Sequence, residues 1–230
     1  MRYALFDIET KVDRQLVEAI EGVAYEQYVA TLKTETGRDF VPHVYHLPIS
    51  IAIGFPNVDG VLEKIGSLKE TTPEALTQHF WGWLAGFQER GGRHGNGVLV
   101  SFNGRGFDIP VLELCALRYG IQIPHHFNQK YGNRYRFQDD WHLDVMDYLS
   151  GHGASPRPRG GLSTLAALAG YPPKNTHGSD VEVLYAAGEL DKINRYCRND
   201  VRRLHVVFGR LQYMRGLATK LPELPELEEE

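Results

Sequence analysis

Residues 3–6 are apolar, and two acids, Asp7 and Glu9, follow directly with Ile8 between them. This pattern predicts a buried strand over residues 1–8 that ends in carboxylates. Strand side chains alternate, so Asp7 and Glu9 share one face. Two adjacent carboxylates repel unless one is protonated or a cation bridges them. Their hard oxygens suit Mg²⁺ or Mn²⁺. Taken alone, the pair reads as a solvated strand end, and Asp180 and Glu182 repeat the same spacing.

The rest of the chain alternates between two periods. Helical spacing marks residues 12–31, with Leu16, Ile20, Val23 and Ala24 in step. Strand patterns at 49–55 and 61–68 flank Pro56, Asn57, Asp59 and Gly60, which suggests a hairpin. Thr72, Pro73 and Glu74 form a helix start: a capping hydroxyl, a proline that misses no N–H, and an acid at the positive end. That helix runs to about residue 90, followed by a strand at 97–102 and a helix at 108–119. Residues 125–161 are irregular, and helices resume at 162–169 and 180–187. The last helix spans about 190–213 with the stripe Ile193, Cys197, Val201, Leu204, Phe208 and Leu211. This order predicts an α/β fold with a mixed sheet flanked by helices. It also predicts one domain over residues 1–213, with a disordered acidic tail over 214–230.

Charge placement bears on what such a fold can bind. The 230 residues include 25 basic and 29 acidic side chains, but five of the acids lie in residues 222–230. Without that tail, 25 bases face 24 acids, so nucleic acid cannot be held by bulk charge alone. Binding would need a local basic groove or bound metal. Two cysteines make no disulfide framework or cysteine-rich zinc site, and the histidines show no zinc spacing. No apolar run approaches the ~20 residues of a membrane span, and none resembles a signal peptide. The expectation is a cytoplasmic chain with no membrane partner.

Two further segments carry acids. Asn103-Gly104-Arg105-Gly106-Phe107-Asp108 joins a strand to a helix. Asp108 alone reads as an N-cap, yet it also lies beyond a strand end, where α/β sheets place ligands. Tyr196 and Asp200, four apart on the last helix, sit one above the other at the edge of its buried stripe. Four carboxylates, Asp7, Glu9, Asp108 and Asp200, together balance two divalent cations. Two such ions form a clamp on phosphate, one generating hydroxide and the other stabilising the leaving oxygen. A tyrosine of ordinary pKa near ~10 is a poor base at neutral pH, which favours Tyr196 as a positioner of water or phosphate.

The three segments resemble the motifs of the DEDD 3′–5′ exonucleases, in the subgroup whose third motif is Tyr-x-x-x-Asp. Phe6 to Thr10 resembles the first motif, Asn103 to Asp108 the second, and Tyr196 to Asp200 the third. The likeness is to the predicted exonuclease family related to the proofreading domain of B-family DNA polymerases. Residues 142–147 and 161–163 resemble it as well. The resemblance implies a ribonuclease H-like fold. It also implies release of nucleoside 5′-monophosphates with two Mg²⁺ or Mn²⁺ ions held by Asp7, Glu9, Asp108 and Asp200. Asp144 stays outside that metal set as a structural or supporting acid. Residues 11–46 form an insertion longer than a minimal domain of this fold needs.

The expected partner is single-stranded nucleic acid, with DNA preferred to RNA; the sequence names no protein partner. Thr10, Asn103, Phe107, Arg134 and Arg136 are the candidate substrate-binding residues. Phe107 reads equally as a base wedge or as core. Residues 130–141 mix bases and aromatics as a strand-contact loop would, with Arg157 and Arg159 close behind. Arg198, Arg202 and Arg203 read as a solvated helix face. Two alternatives stay open: an RNA-directed exonuclease on the same scaffold, and a module that binds nucleic acid without cleaving it.

Overall fold

The computed structural model describes residues 2–89, 97–129, 132–155, 161–174 and 179–229. The expected strand opens the chain as β1 (Arg2–Val12), and β2 (His46–Pro56) and β3 (Leu62–Ser67) form the expected hairpin. β4 (Gly97–Ser101) and β5 (His142–Asp144) complete one sheet in the order β3-β2-β1-β4-β5. β2 runs antiparallel to β1, whereas β4 is parallel to β1 and β5 to β4. This mixed sheet with flanking helices is the predicted α/β class, in the ribonuclease H-like strand order.

Alternation along β1 divides the core. Ala4, Phe6 and Ile8 pack on one face against α3 (Pro73–Glu89) and α4 (Asp108–Tyr119), with Phe80, Trp81, Leu84 and Leu112. Leu5 points the other way, toward α7 (Leu162–Leu168) and α9 (Leu190–Met214). The whole predicted stripe of α9, from Ile193 to Leu211, is buried. Each such side chain contributes roughly 1.5–3 kcal/mol, enough together to fix the rotation of α9 on the sheet. The edge of that stripe, with Tyr196 and Asp200, is thereby set against the acidic half of β1.

Four expectations need correction. The helix predicted over 12–31 is two helices, α1 (Arg14–Glu21) and α2 (Tyr25–Thr36). Gly22 at φ 70° ends the first by a left-handed cap, a conformation open to glycine at little cost. Within the irregular stretch lie α5 (Pro124–Phe127), β5 and α6 (Val145–Leu149), each too short to show a period. α8 (Ser179–Ala186) falls where expected.

The acidic tail differs most. Pro222 covers Gly209, where an added Cβ would lie 2.5 Å from the proline Cβ. The Tyr171 hydroxyl donates to Pro225 O at 2.6 Å, and Leu227 packs on the α7–α9 core. Glu228 pairs with Arg198 and Arg202, and its backbone N–H donates to Asn199 Oδ1 at 3.0 Å. Charge composition suggested disorder, but proline and leucine spacing lets the acids reach arginines on α9. Those arginines are not a solvated face: Arg203 is 1% exposed. Among the described residues, no helix is long and apolar enough to cross a membrane.

Candidate active site

Asp7 and Glu9 lie in β1 just past the stretch that pairs with β4, and Asp108 lies beyond the end of β4. Asp7 and Glu9 follow Leu5 at two-residue steps and share its face, so both face α9. The register of β1 on β2 shifts between Glu9 and Thr10, a bulge that ends the regular ladder beside the acids. Ligand atoms of Asp7, Glu9 and Cys197 lie within 4.8 Å of one another. Cys197 Sγ approaches Asp7 O at 3.3 Å and Asp7 Oδ2 at 3.7 Å.

Asp108 arrives through the loop after β4. Asn103 adopts φ 63°, a left-handed turn that asparagine tolerates, and its carbonyl accepts the N–H groups of Gly106 and Phe107. A Cβ on Gly104 would collide with the Ser101 side chain, so this close packing requires glycine. Asp144 holds the same loop: its carboxylate accepts from Asn103 N and Arg105 N, each at 2.9 Å, and caps α6. Asp144 therefore supports the loop. Asp108 opens α4, and its Oδ1 accepts the Ile8 N–H of β1 at 3.2 Å. The N-cap position of that helix is Phe107, not Asp108.

Electrostatics bind the four acids into one unit. Burial, then Asp200, Glu9 and Asp108, raise Asp7 well above its ordinary range. Burial and Asp200 do the same to Glu9. Burial lifts Asp108 to about 7, and raises Asp200 despite two cations beside it. Those cations are Lys174, which pairs with Asp200 Oδ2, and Arg203, whose Nη1 lies 3.2 Å from Oδ1. Burial alone would lower Lys174, but Asp200, Tyr196 and Glu9 outweigh it and hold the ammonium above the usual lysine range. Burial and Glu9 push Tyr196 up to about 12.

Lys174 was not legible in the sequence. It follows two prolines with no periodic partner, and only the fold brings it to α9. Arg203 had a signal: it stands three residues after Asp200 on a helix, a spacing that brings the two together.

The candidate substrate residues divide. Thr10 Oγ1 lies 2.9 Å from His46 Nδ1, and Phe107 joins an aromatic group with His46 and Phe40 beside the acids. Asn103 shapes the loop before Asp108. Arg134 pairs with Glu113 at 3.1 Å and Arg136 with Asp147 at 2.6 Å, each 58% and 42% exposed respectively. Neither is brought to the carboxylates by a described contact. Lys130, Tyr131, Arg157 and Arg159 lie outside the described residues. His142 is buried, with its ring nitrogens facing Ser101 Oγ at 2.7 Å and Asn133 O at 3.2 Å.

No curated protein matches the chain. Among solved structures it is similar to Exonuclease I (apo), at 12% identity and a TM-score of 0.33, over 69% of this chain and 32% of that one. It is also similar to E. coli Exonuclease I in complex with a dT13 oligonucleotide, at 12% identity and 0.31, over 69% and 31%. A third, an ExoI/SSB-Ct complex, gives 12% and 0.39 over 93% and 45%. The chain thus spans about a third to under half the length of these structures. The family match is different in kind: it covers residues 38–227 and so includes Asp108, Tyr196 and Asp200 but not Asp7 or Glu9. On that match, the chain belongs to the predicted 3′–5′ exonuclease family related to the exonuclease domain of PolB.

Proposed function

We propose that the chain removes nucleotides from the 3′ ends of single-stranded DNA, or of frayed duplexes, and releases nucleoside 5′-monophosphates. The observation that carries this reading is the gathering of Asp7 and Glu9 on one face of β1 against Cys197 of α9, with Asp108 bonded to Ile8 N between them and Asp200 raising both β1 acids. Burial and Asp200 hold Asp7 and Glu9 above their ordinary ionisation, and the Lys174 ammonium already pairs with Asp200. Hard carboxylate oxygens around a centre that attracts cations fit two Mg²⁺ or Mn²⁺ ions. Asp7, Glu9, Asp108 and Asp200 would hold them. When bound, such ions supply an acidified water and neutralise charge developing on the phosphate.

The chain's own groups do the positioning. Tyr196, at about 12, keeps its hydroxyl proton and donates a hydrogen bond to the attacking water or a phosphate oxygen. Arg203 fixes one oxygen of Asp200 from the buried side, which leaves the other to face the site. Lys174 keeps positive charge beside that oxygen for an incoming phosphate. Asp108 is oriented by Ile8 N, so the first strand and the α4 start are locked together.

Product analysis tests this reading. Single-stranded DNA and its RNA counterpart are digested with Mg²⁺, with Mn²⁺ and with chelator, and the products are separated by chromatography. Metal-dependent deoxynucleoside 5′-monophosphates from DNA are expected. Release of 3′-monophosphates, or undiminished release in chelator, contradicts the mechanism, and faster ribonucleotide release contradicts the DNA preference.

A further inference from the structure

The insertion over residues 11–46 brings an aromatic side chain, Phe40, against Phe107. Phe40 is 56% exposed, yet its ring is held in place. It stacks on His46 at 5.0 Å with an interplanar angle of 22° and meets the edge of Phe107 at 5.5 Å and 65°. His43 also meets Phe107 at 5.4 Å. The group is anchored at both ends of the catalytic arrangement. His46 Nδ1 faces Thr10 Oγ1, one residue past Glu9, and Phe107 directly precedes Asp108.

The support behind Phe40 is stiff. Val41 is buried next to Tyr45 and Val17, and its carbonyl lies 3.2 Å from His46 Nε2. Tyr45 N–H donates to Pro42 O at 3.1 Å, and Asp13 N–H donates to Tyr45 O at 2.7 Å. Asp13 in turn pairs with Arg118 of α4 at 2.7 Å. A large apolar ring left this exposed gains little from burial, whereas a fixed, open ring face is what a nucleobase stacks on.

We infer that Phe40, with Phe107 at its edge, is a stacking platform for the 3′-terminal base, contributed by the insertion between β1 and β2. This rests on the exonuclease reading above and assigns the insertion a role in it. An unstacked base reaches such a platform and a paired one does not, so the platform selects single-stranded or frayed ends. Because the base takes no part in the bond that breaks, Phe40 is a positioning residue and acts on binding more than on the chemical step.

The experiment compares wild type, Phe40→Ala and Phe40→Trp on two single-stranded oligonucleotides, one ordinary and one whose 3′-terminal residue is abasic. Steady-state cleavage is measured together with equilibrium binding by fluorescence anisotropy in chelator. Asp7→Ala serves as the control for the active site itself. Loss of base stacking is expected to raise KM and the dissociation constant for the ordinary strand about 10-fold in Phe40→Ala. kcat should stay within about two-fold, and Phe40→Trp should restore binding. On the abasic strand, wild type and Phe40→Ala should coincide. An unchanged KM, or an equal loss on both strands, overturns the platform even if Asp7→Ala is inactive. Full cleavage by Asp7→Ala instead overturns the exonuclease site.

Discussion

Lys174 places its ammonium 3.9 Å from the centroid of the Tyr196 ring and pairs with Asp200 Oδ2, so one cation touches both ends of the Tyr-x-x-x-Asp segment. Its backbone N–H donates to Ser163 Oγ at 2.8 Å, which fixes where the side chain starts. The lysine also lowers the proton affinity of Asp7, Glu9 and Asp200. Removing it leaves the acids to repel one another without relief.

The consequence is a shift in the pH profile. In Lys174→Met the acids ionise at higher pH, so the acid limb of kcat/KM moves upward, with the rate at neutral pH reduced about ten-fold or more. Lys174→Arg should recover part of both. Parallel profiles for wild type and Lys174→Met would show that the ammonium does not act on the carboxylates.

Stability in chelator follows the same groups with a definite sign. Burial and repulsion from Asp200 raise Asp7 and Glu9 above 3.8 and 4.5, and burial lifts Asp108 to about 7, so each binds its proton more tightly folded than unfolded. Their contribution to stability is complete below about pH 4 and is lost as pH rises through the folded values. The chelated protein should melt at lower temperature at about pH 8 than at about pH 5, and Asp7→Asn should flatten that slope. A melting temperature that does not depend on pH in this window would contradict the coupling.

Tyr196→Phe separates positioning from proton abstraction. With the hydroxyl at about 12, no Tyr196 ionisation limits the wild-type rate near neutral pH. The variant should lose about 10- to 100-fold in kcat with an unshifted pH profile. A basic limb that disappears in the variant would assign the tyrosine as a base instead.

The docked tail makes a mechanical prediction. Gly209 has no room for a methyl group under Pro222, with contacts of 2.5 and 2.7 Å awaiting it. Gly209→Ala should lift residues 217–229, break the Glu228 pairs with Arg198 and Arg202, and cost about 2–4 kcal/mol. Limited proteolysis should then cut the tail well before the body. Equal resistance in the variant would show that the tail does not depend on this contact.

How much of this the sequence carried depends on range. Alternation placed Asp7 and Glu9 on one face, and the α9 stripe placed Tyr196 and Asp200 at its edge, because both patterns repeat within a few residues. Asp108 was legible as a strand-to-helix acid, and its bond to Ile8 N is a contact across 100 residues. The short β5 gave no signal, since three residues cannot show a period. Lys174 and Phe40 lie in irregular segments, and their partners are set by the sheet and not by spacing. The tail was misread because net charge counts acids without the arginines that receive them.

The central claim is that Asp7 and Asp200, from opposite ends of the chain, serve one metal-dependent site. It is tested most directly by following a 5′-labelled single-stranded oligonucleotide with wild type, Asp7→Ala and Asp200→Ala, each shown to be folded by circular dichroism. The account predicts a metal-dependent ladder shortening from the 3′ end for wild type and intact substrate for both variants. A ladder from either folded variant at the wild-type rate would contradict it.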